Sequence, residues 1–373
     1  MNKYLIFASD ERSYLDLKNV VLELKKRKLP YFFLYNDSST KLHPHISLEN
    51  FKYDTNINFS DKNYPSKTLG FDLPFKPDIL LITCENWEPE KNIVWEFKQL
   101  GCFIGCIENA SWIHNQIKTK LELASRKSFP SNCIDVFFDH SSWCLETKKQ
   151  AGWWRQKSII TGNPRYDNIS FTTKEENIMI VYGSMEIEHH NKIINIYNDL
   201  IKTYPTWEVY YKPHPSEKID FPNDFKDVKT IDNHSDFLNL VSKSTHNIGI
   251  FSSVMYFPLI MNKNVVILRH SFIGVDDELN LNKFKGHEFN FWKGILGFNS
   301  FKEFEEFISQ EYIQKTIKRN SKFEKDISKN LVFYDKGHTF KGTRSNNKEL
   351  LKYYTDFDDN KSSERIINYI ENE

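Results

Sequence analysis

KYLIFASDERSYLDLKNVVLELKKRKLPYFFLYN, Lys3 to Asn36, is the stretch that decides the fold. It opens on KYLIFAS and closes on PYFFLYN, two apolar runs of strand length. Between them YLDLKNVVLELKKRK sets Leu15, Val20, Val21 and Leu24 along one side at helical spacing. An antiparallel pair needs only a short turn, whereas a parallel pair needs a crossover of a dozen residues or more, so a strand, a helix and a strand in succession predict parallel pairing.

The pattern continues outward. DILLITC (Asp78–Cys84) reads as a strand, PEKNIVWEFKQLG (Pro89–Gly101) as a helix ended by its glycine, and CFIGCIEN (Cys102–Asn109) as a strand. A helical stretch through IKTKLELASRK, the strand IDVFFDH, the segment LETKKQAGWW and the strand KSIITGNP (Lys157–Pro164) follow. A second series runs NIMIVYGS, the helix NKIINIYNDLIKTY, the strand WEVYYKPHP (Trp207–Pro215), the helix SDFLNLVSK, the strand HNIGIFS, the helix SVMYFPLIMN and the strand NVVILRH. Alternation of this kind predicts two doubly wound α/β domains of Rossmann type. The predicted division is 1–170 for the first, acceptor-side domain, 171–340 for the second, donor-binding domain, and 341–373 for a helical tail ending in SERIINYIEN, which can pack back on the first. The Asn- and Asp-rich insertion between Pro44 and Pro77 receives no element.

Composition sets the outer bounds. At 373 residues the chain exceeds one ordinary core, since domains run to ~150 residues. Fifty basic and fifty acidic side chains balance, so no global charge draws it to nucleic acid, and any anion affinity must be local. Five cysteines, an odd number without CxxC pairing and set in apolar surroundings, fit free thiols in a reducing cytoplasm. No segment approaches the ~20 apolar residues of a spanning helix and no signal peptide is recognisable, so the expected location is cytoplasmic, with at most peripheral membrane contact through Gly152, Trp153, Trp154 and Arg155 at the inner face of the membrane.

In open α/β sheets ligands bind beyond the carboxyl ends of the strands, so residues there are the candidates. YKPHPSEK ends a strand on Lys212 and His214, each followed by a proline that stiffens the backbone beneath it. A lysine and a titratable imidazole together suit a phosphate. Ser252 and Ser253 stand where a strand gives way to a helix, whose free amides and dipole favour an anion. Gly183 closes the first strand of the second series. TGNPRYD supplies Gly162 for a tight turn and Arg165 either as a guanidinium for a phosphate or carboxylate or as half of an Arg–Asp pair at a domain hinge. Glu108 ends the strand CFIGCIE, His114 follows it, and Asp10 opens the first strand-to-helix loop. No Asp-x-Asp occupies a strand end, so no metal is expected.

Taken in order, TGNPRYD, YKPHPSE and FSSVMYFPLIMNKNVVIL resemble the landmarks of GT-B-type bacterial surface-polysaccharide transferases. The likeness is to the CDP-glycerol glycerophosphotransferases and related surface-carbohydrate glycosyltransferases, and it spans roughly Asp135 to Leu268. It implies two Rossmann-type domains facing each other across a cleft, and transfer of a sugar or polyol phosphate from a nucleotide-activated donor to a carbohydrate or lipid-linked acceptor in capsule or cell-envelope synthesis. His214, Lys212, Ser252, Ser253, Arg165 and Gly183 would then serve the donor nucleotide and its phosphates, while Asp10 and His114 stand on the acceptor side. The His-Pro and Ser-Ser elements also resemble bacterial sialyltransferases, which use CMP-sugars and place an acidic base at a first-domain strand end, where Glu108 stands. No cofactor is implied, and the donor leans to the CMP or CDP type. A nucleotide-sugar 2-epimerase and a non-catalytic nucleotide- or carbohydrate-binding scaffold are the alternatives.

Overall fold

The computed structural model of the chain describes residues 1–36, 51–57, 64–83, 90–108, 133–142, 145, 157–169, 174–183, 187–214, 229–231, 234–250, 254, 256–268 and 355–373. Two compact units divide the chain: Met1–Ile169 together with Lys352–Glu373, and Ser170–Leu351.

In the first unit β1 (Tyr4–Ala8), α1 (Glu11–Arg27) and β2 (Tyr31–Tyr35) form the crossover read from the opening stretch, and β1 pairs with β2 in parallel. The helix begins earlier than its apolar residues suggest because Asp10 caps it, accepting the Ser13 amide at 2.7 Å. It ends on Lys28, which takes the left-handed conformation at φ 57° and returns its amide to the Leu24 and Lys25 carbonyls. The insertion supplies β3 (Lys52–Thr55), antiparallel to β2 at the sheet edge, and a small ribbon of β4 (Tyr64–Ser66) and β5 (Phe71–Leu73). β6 (Ile79–Ile82), α2 (Glu90–Gln99), β7 (Phe103–Ile107), β8 (Val136–Asp139) and β9 (Lys157–Ile160) complete a sheet of order β3-β2-β1-β6-β7-β8-β9. Side-chain alternation sorts the core onto its two faces. Tyr4, Ile6 and Ala8 join Leu17, Val20 and Leu24 of α1, while Leu5 and Phe7 join Ile93, Val94 and Phe97 of α2.

The second unit strings β10 (Ile178–Tyr182), α3 (Ile187–Thr203), β11 (Glu208–Lys212), β12 (Lys229–Thr230), α4 (His234–Lys243), β13 (His246–Ile250), α5 (Tyr256–Ile260) and β14 (Asn264–Leu268) into an all-parallel sheet of order β12-β11-β10-β13-β14. Ile193, Tyr197 and Leu200 of α3 pack on Met179, Val181, Val209 and Tyr211 of the sheet. Gly249 of β13 sits so near β10 that a Cβ there would lie 2.8 Å from the Tyr182 Cβ.

Finally α6 (Ser362–Asn372) lies in the first unit against α1, with Ile366, Ile367 and Ile370 buried in the same core as Tyr4 and Ile6. Each such side chain contributes ~1.5–3 kcal/mol by its removal from water.

Candidate functional site

A doubly wound sheet opens where successive connections turn to opposite faces. In the second unit that reversal falls between β10 and β13, with β11 on the other side of β10. Gly183 follows β10 directly, and its amide donates to the Lys212 carbonyl at 2.8 Å, tying the ends of β10 and β11 together. Lys212 is thus held at the carboxyl edge, opposite Tyr182 in the strand register. Its ammonium lies 3.4 Å from the Pro213 carbonyl, folded back on its own turn, and Lys212, Pro213 and His214 are all half-buried. Three of the residues expected to serve a donor therefore share one edge of one sheet. β13 ends at Ile250, and Ser252, Ser253 and His114, like the Gly152–Arg155 patch, lie outside the described residues.

In the first unit the reversal falls between β1 and β6, and polar side chains gather there. Ser9, just past β1, donates its hydroxyl to Glu90 at the start of α2, and Thr83, just past β6, donates to the Ser13 hydroxyl at 2.8 Å. Asp10 caps α1 through one carboxylate oxygen. Glu108 ends β7 as expected, but it is buried, and one carboxylate oxygen accepts the His140 amide at 3.2 Å from the end of β8. Asp139 and His140 beside it are wholly buried.

Next to this edge runs a network that links α1, the TGNPRYD turn and α6. Gly162 adopts φ +84°, and a Cβ there would meet the Ser362 hydroxyl at 2.6 Å. A 3-10 turn at Pro164–Tyr166 follows, its backbone held by the Asn163 side chain, which accepts the Arg165 amide at 3.0 Å. Arg165 is buried within the first unit: its Nε lies 2.7 Å from Asp16 Oδ1, and a terminal nitrogen donates to the Arg12 carbonyl at 2.9 Å. Its role there is to hold the turn on α1, and the aspartate it meets is Asp16 rather than the neighbouring Asp167. Burial drives the Asp16 carboxyl up to about 6, and the Arg165 and Arg12 charges only partly oppose that rise. Asn19 donates to the Pro164 carbonyl at 2.7 Å and to the Asp167 carbonyl at 2.9 Å. The Asp167 carboxylate accepts the Ser362 and Ser363 amides at 3.0 and 2.6 Å, and so caps the first turn of α6. Burial raises the Asp167 carboxyl, against the pull of those amides.

The sequence reading missed this network and the Ser9–Glu90 pair. One signal was available: Ser13, Asp16 and Asn19 recur every three residues on α1, next to its apolar side, and all three are buried.

Among the described residues no group of three or more His, Cys, Asp or Glu side chains is placed to hold a metal ion, and no helix is long and apolar enough to cross a membrane.

Two Rossmann-like units built mainly of parallel sheet make this a fold of the GT-B type. It is similar to that of a putative UDP-N-acetylglucosamine 2-epimerase from Listeria monocytogenes, at TM-score 0.52 and 10% identity over 100% of this chain and 96% of that one. The wall teichoic acid polymerase TagF matches at TM-score 0.51 and 10% identity, covering 99% of this chain and 88% of that one. A Methanocaldococcus jannaschii UDP-GlcNAc 2-epimerase, solved with UDP-GlcNAc and UDP, matches at TM-score 0.50 and 12% identity over the whole of both chains. No protein-family model and no curated protein sequence matches the chain. Likenesses at these identities define the fold, and the chemistry rests on the site.

Proposed function

We propose that the chain is a GT-B-type transferase that moves a sugar or polyol-phosphate group from a nucleotide-activated donor to a hydroxyl of a growing cell-surface polysaccharide. The observation that carries this reading is the single edge shared by Gly183, Lys212 and His214, beside the strand-order reversal of the second unit. An ammonium and an imidazole at such an edge suit a nucleotide phosphate, with Ser252 and Ser253 as further donors.

In the reaction the acceptor oxygen forms its new bond at the transferred group as the bond from that group to the nucleotide phosphate breaks. The proton of the acceptor hydroxyl passes to a carboxylate, for which Glu108 is the candidate. His214 and Lys212 balance the charge that builds on the departing phosphate, so the step needs no metal. Arg165, engaged inside the first unit, is assigned to the turn and not to a phosphate. The buried cysteines Cys102, Cys106 and Cys133 fit a reducing cytoplasm, where the chain would work at the inner face of the membrane.

A second reading draws on the first unit. Glu90, Glu108 and Asp139 are all buried near the carboxyl ends of its strands, with His140 among them. Several carboxylates and a histidine around a sugar are what a nucleotide-sugar 2-epimerase requires. Incubation with UDP-GlcNAc alone separates the two, since an epimerase changes the sugar without an acceptor.

The primary test is a thermal-shift panel of CMP, CDP, UDP, GDP and ADP. One nucleotide should raise the melting temperature, and by mass action a ligand at 100 times its Kd adds ~2.7 kcal/mol. His214→Ala and Lys212→Ala should abolish that shift while leaving the unliganded melting temperature unchanged. A nucleotide shift that survives both substitutions would remove the phosphate site from this edge.

A further inference from the structure

The hydrogen bonds around Asn163 bear on the protonation state of a buried histidine. Asn163 Oδ1 accepts the Arg165 amide at 3.0 Å, which fixes the orientation of the side-chain amide, because a backbone N–H can only donate. The amide nitrogen, Asn163 Nδ2, therefore faces His140 Nδ1, at 3.4 Å. Nδ2 has only hydrogens to offer, so Nδ1 must accept, and the ring proton resides on Nε2. A proton on Nδ1 would set two donors against each other in a wholly buried spot. The His140 amide, on the same residue, is the group that holds a Glu108 oxygen at 3.2 Å. The ring that meets Asn163 and the amide that meets Glu108 thus belong to one residue.

We propose that Asn163 locks His140 as the neutral Nε2–H tautomer, and that the locked imidazole is a positioning residue for Glu108. The turn TGNPRYD thereby acts on the first unit's strand ends through Asn163, a role distinct from the phosphate contact its arginine suggested. The positioning role rests on the assignment of Glu108 as base; the tautomer does not.

Asn163→Asp is the discriminating variant. Its carboxylate keeps an acceptor for the Arg165 amide and replaces the Nδ2 donor with an oxygen, which draws a proton onto His140 Nδ1 with no change of shape. Ring 15N spectra of the full chain labelled at its 12 histidines read this directly, the His140 signals being those that move in Asn163→Asp. In the unsubstituted protein His140 should show a protonated Nε2 and a bare Nδ1 at pH 7.5, and in Asn163→Asp a protonated Nδ1. A Nδ1–H or doubly protonated ring in the unsubstituted protein, or a spectrum that Asn163→Asp leaves unchanged, overturns the lock.

Transfer assays with the nucleotide donor found in the thermal-shift panel read the second half. Asn163→Asp and His140→Leu should lower kcat by ~10–100-fold with KM for the donor within about twofold, as expected when a catalytic group is misplaced by a fraction of an ångström. His140→Asn, whose Oδ1 offers an acceptor where Nδ1 stood, should recover most of the loss. Unaltered kcat in Asn163→Asp and His140→Leu overturns the positioning role. Failure of the unsubstituted protein to turn over any donor sinks the transfer reading and the positioning role with it, while the ring spectra still decide the lock.

Discussion

Replacement of Asp16 by asparagine should change the pH dependence of the first unit in a calculable way. The folded carboxyl stands at about 6 against an ordinary 3.8, because burial penalises the anion more than Arg165 and Arg12 favour it. The folded chain therefore binds this proton more tightly than the unfolded chain. The sign follows: the stabilising contribution is complete below the ordinary value and is lost as the pH rises through about 6. A displacement of about two units at ~1.4 kcal/mol each amounts to about 3 kcal/mol in full, about 2.5 kcal/mol of it gained between pH 7.5 and 4. The assay is hydrogen exchange of the α1 amides by mass spectrometry, native chain against Asp16→Asn at each pH, since the ratio cancels the intrinsic pH dependence of exchange. A local readout also avoids fitting one transition to a chain with two units. The native chain should gain protection relative to the variant as the pH falls from 7 to 4. A native chain that loses protection on acidification would mean that the fold favours the Asp16 anion, a flat difference that it favours neither form, and either would make the account of its burial wrong.

Two further substitutions test the same network. Gly162→Ala forces a side chain into a left-handed position against the Ser362 hydroxyl, and should cost about 1–3 kcal/mol, seen as faster limited proteolysis within 355–373. Asp167→Ala removes both acceptors for the first amides of α6 and should cost about 1–2 kcal/mol, read by exchange of the Ser362 and Ser363 amides, with α1 itself little affected.

The strands of both sheets were legible because parallel strands covered on both faces are nearly continuous apolar runs, as YLIFA and IMIVY show. β3 and β12 were not. Lys52–Thr55 and Lys229–Thr230 lie at sheet edges with mostly exposed side chains, so neither carries a buried pattern. The start of α1 is marked by Asp10, which the sequence offers as an acceptor-side residue and which caps the helix in the structure. Lys212, His214 and Gly183 could be placed at one strand edge from the sequence because strand ends can be counted along the chain. Arg165 was identified as an ion-pairing residue but its partner was not, since Asp16 lies 149 positions upstream and no local pattern joins them. Glu90 and Ser9, 81 positions apart, were invisible for the same reason.

The return of α6 to the first unit bears on how the chain is made. Its isoleucines share a core with Tyr4 and Ile6, yet about 180 residues of the second unit are translated between Ile169 and Lys352. At ribosomal rates of ~5–20 residues per second, the flank of β1 and α1 stays uncovered for on the order of 10–40 s. During synthesis the nascent first unit carries a greasy groove shaped for a helix not yet made, and holding chaperones have that interval in which to occupy it.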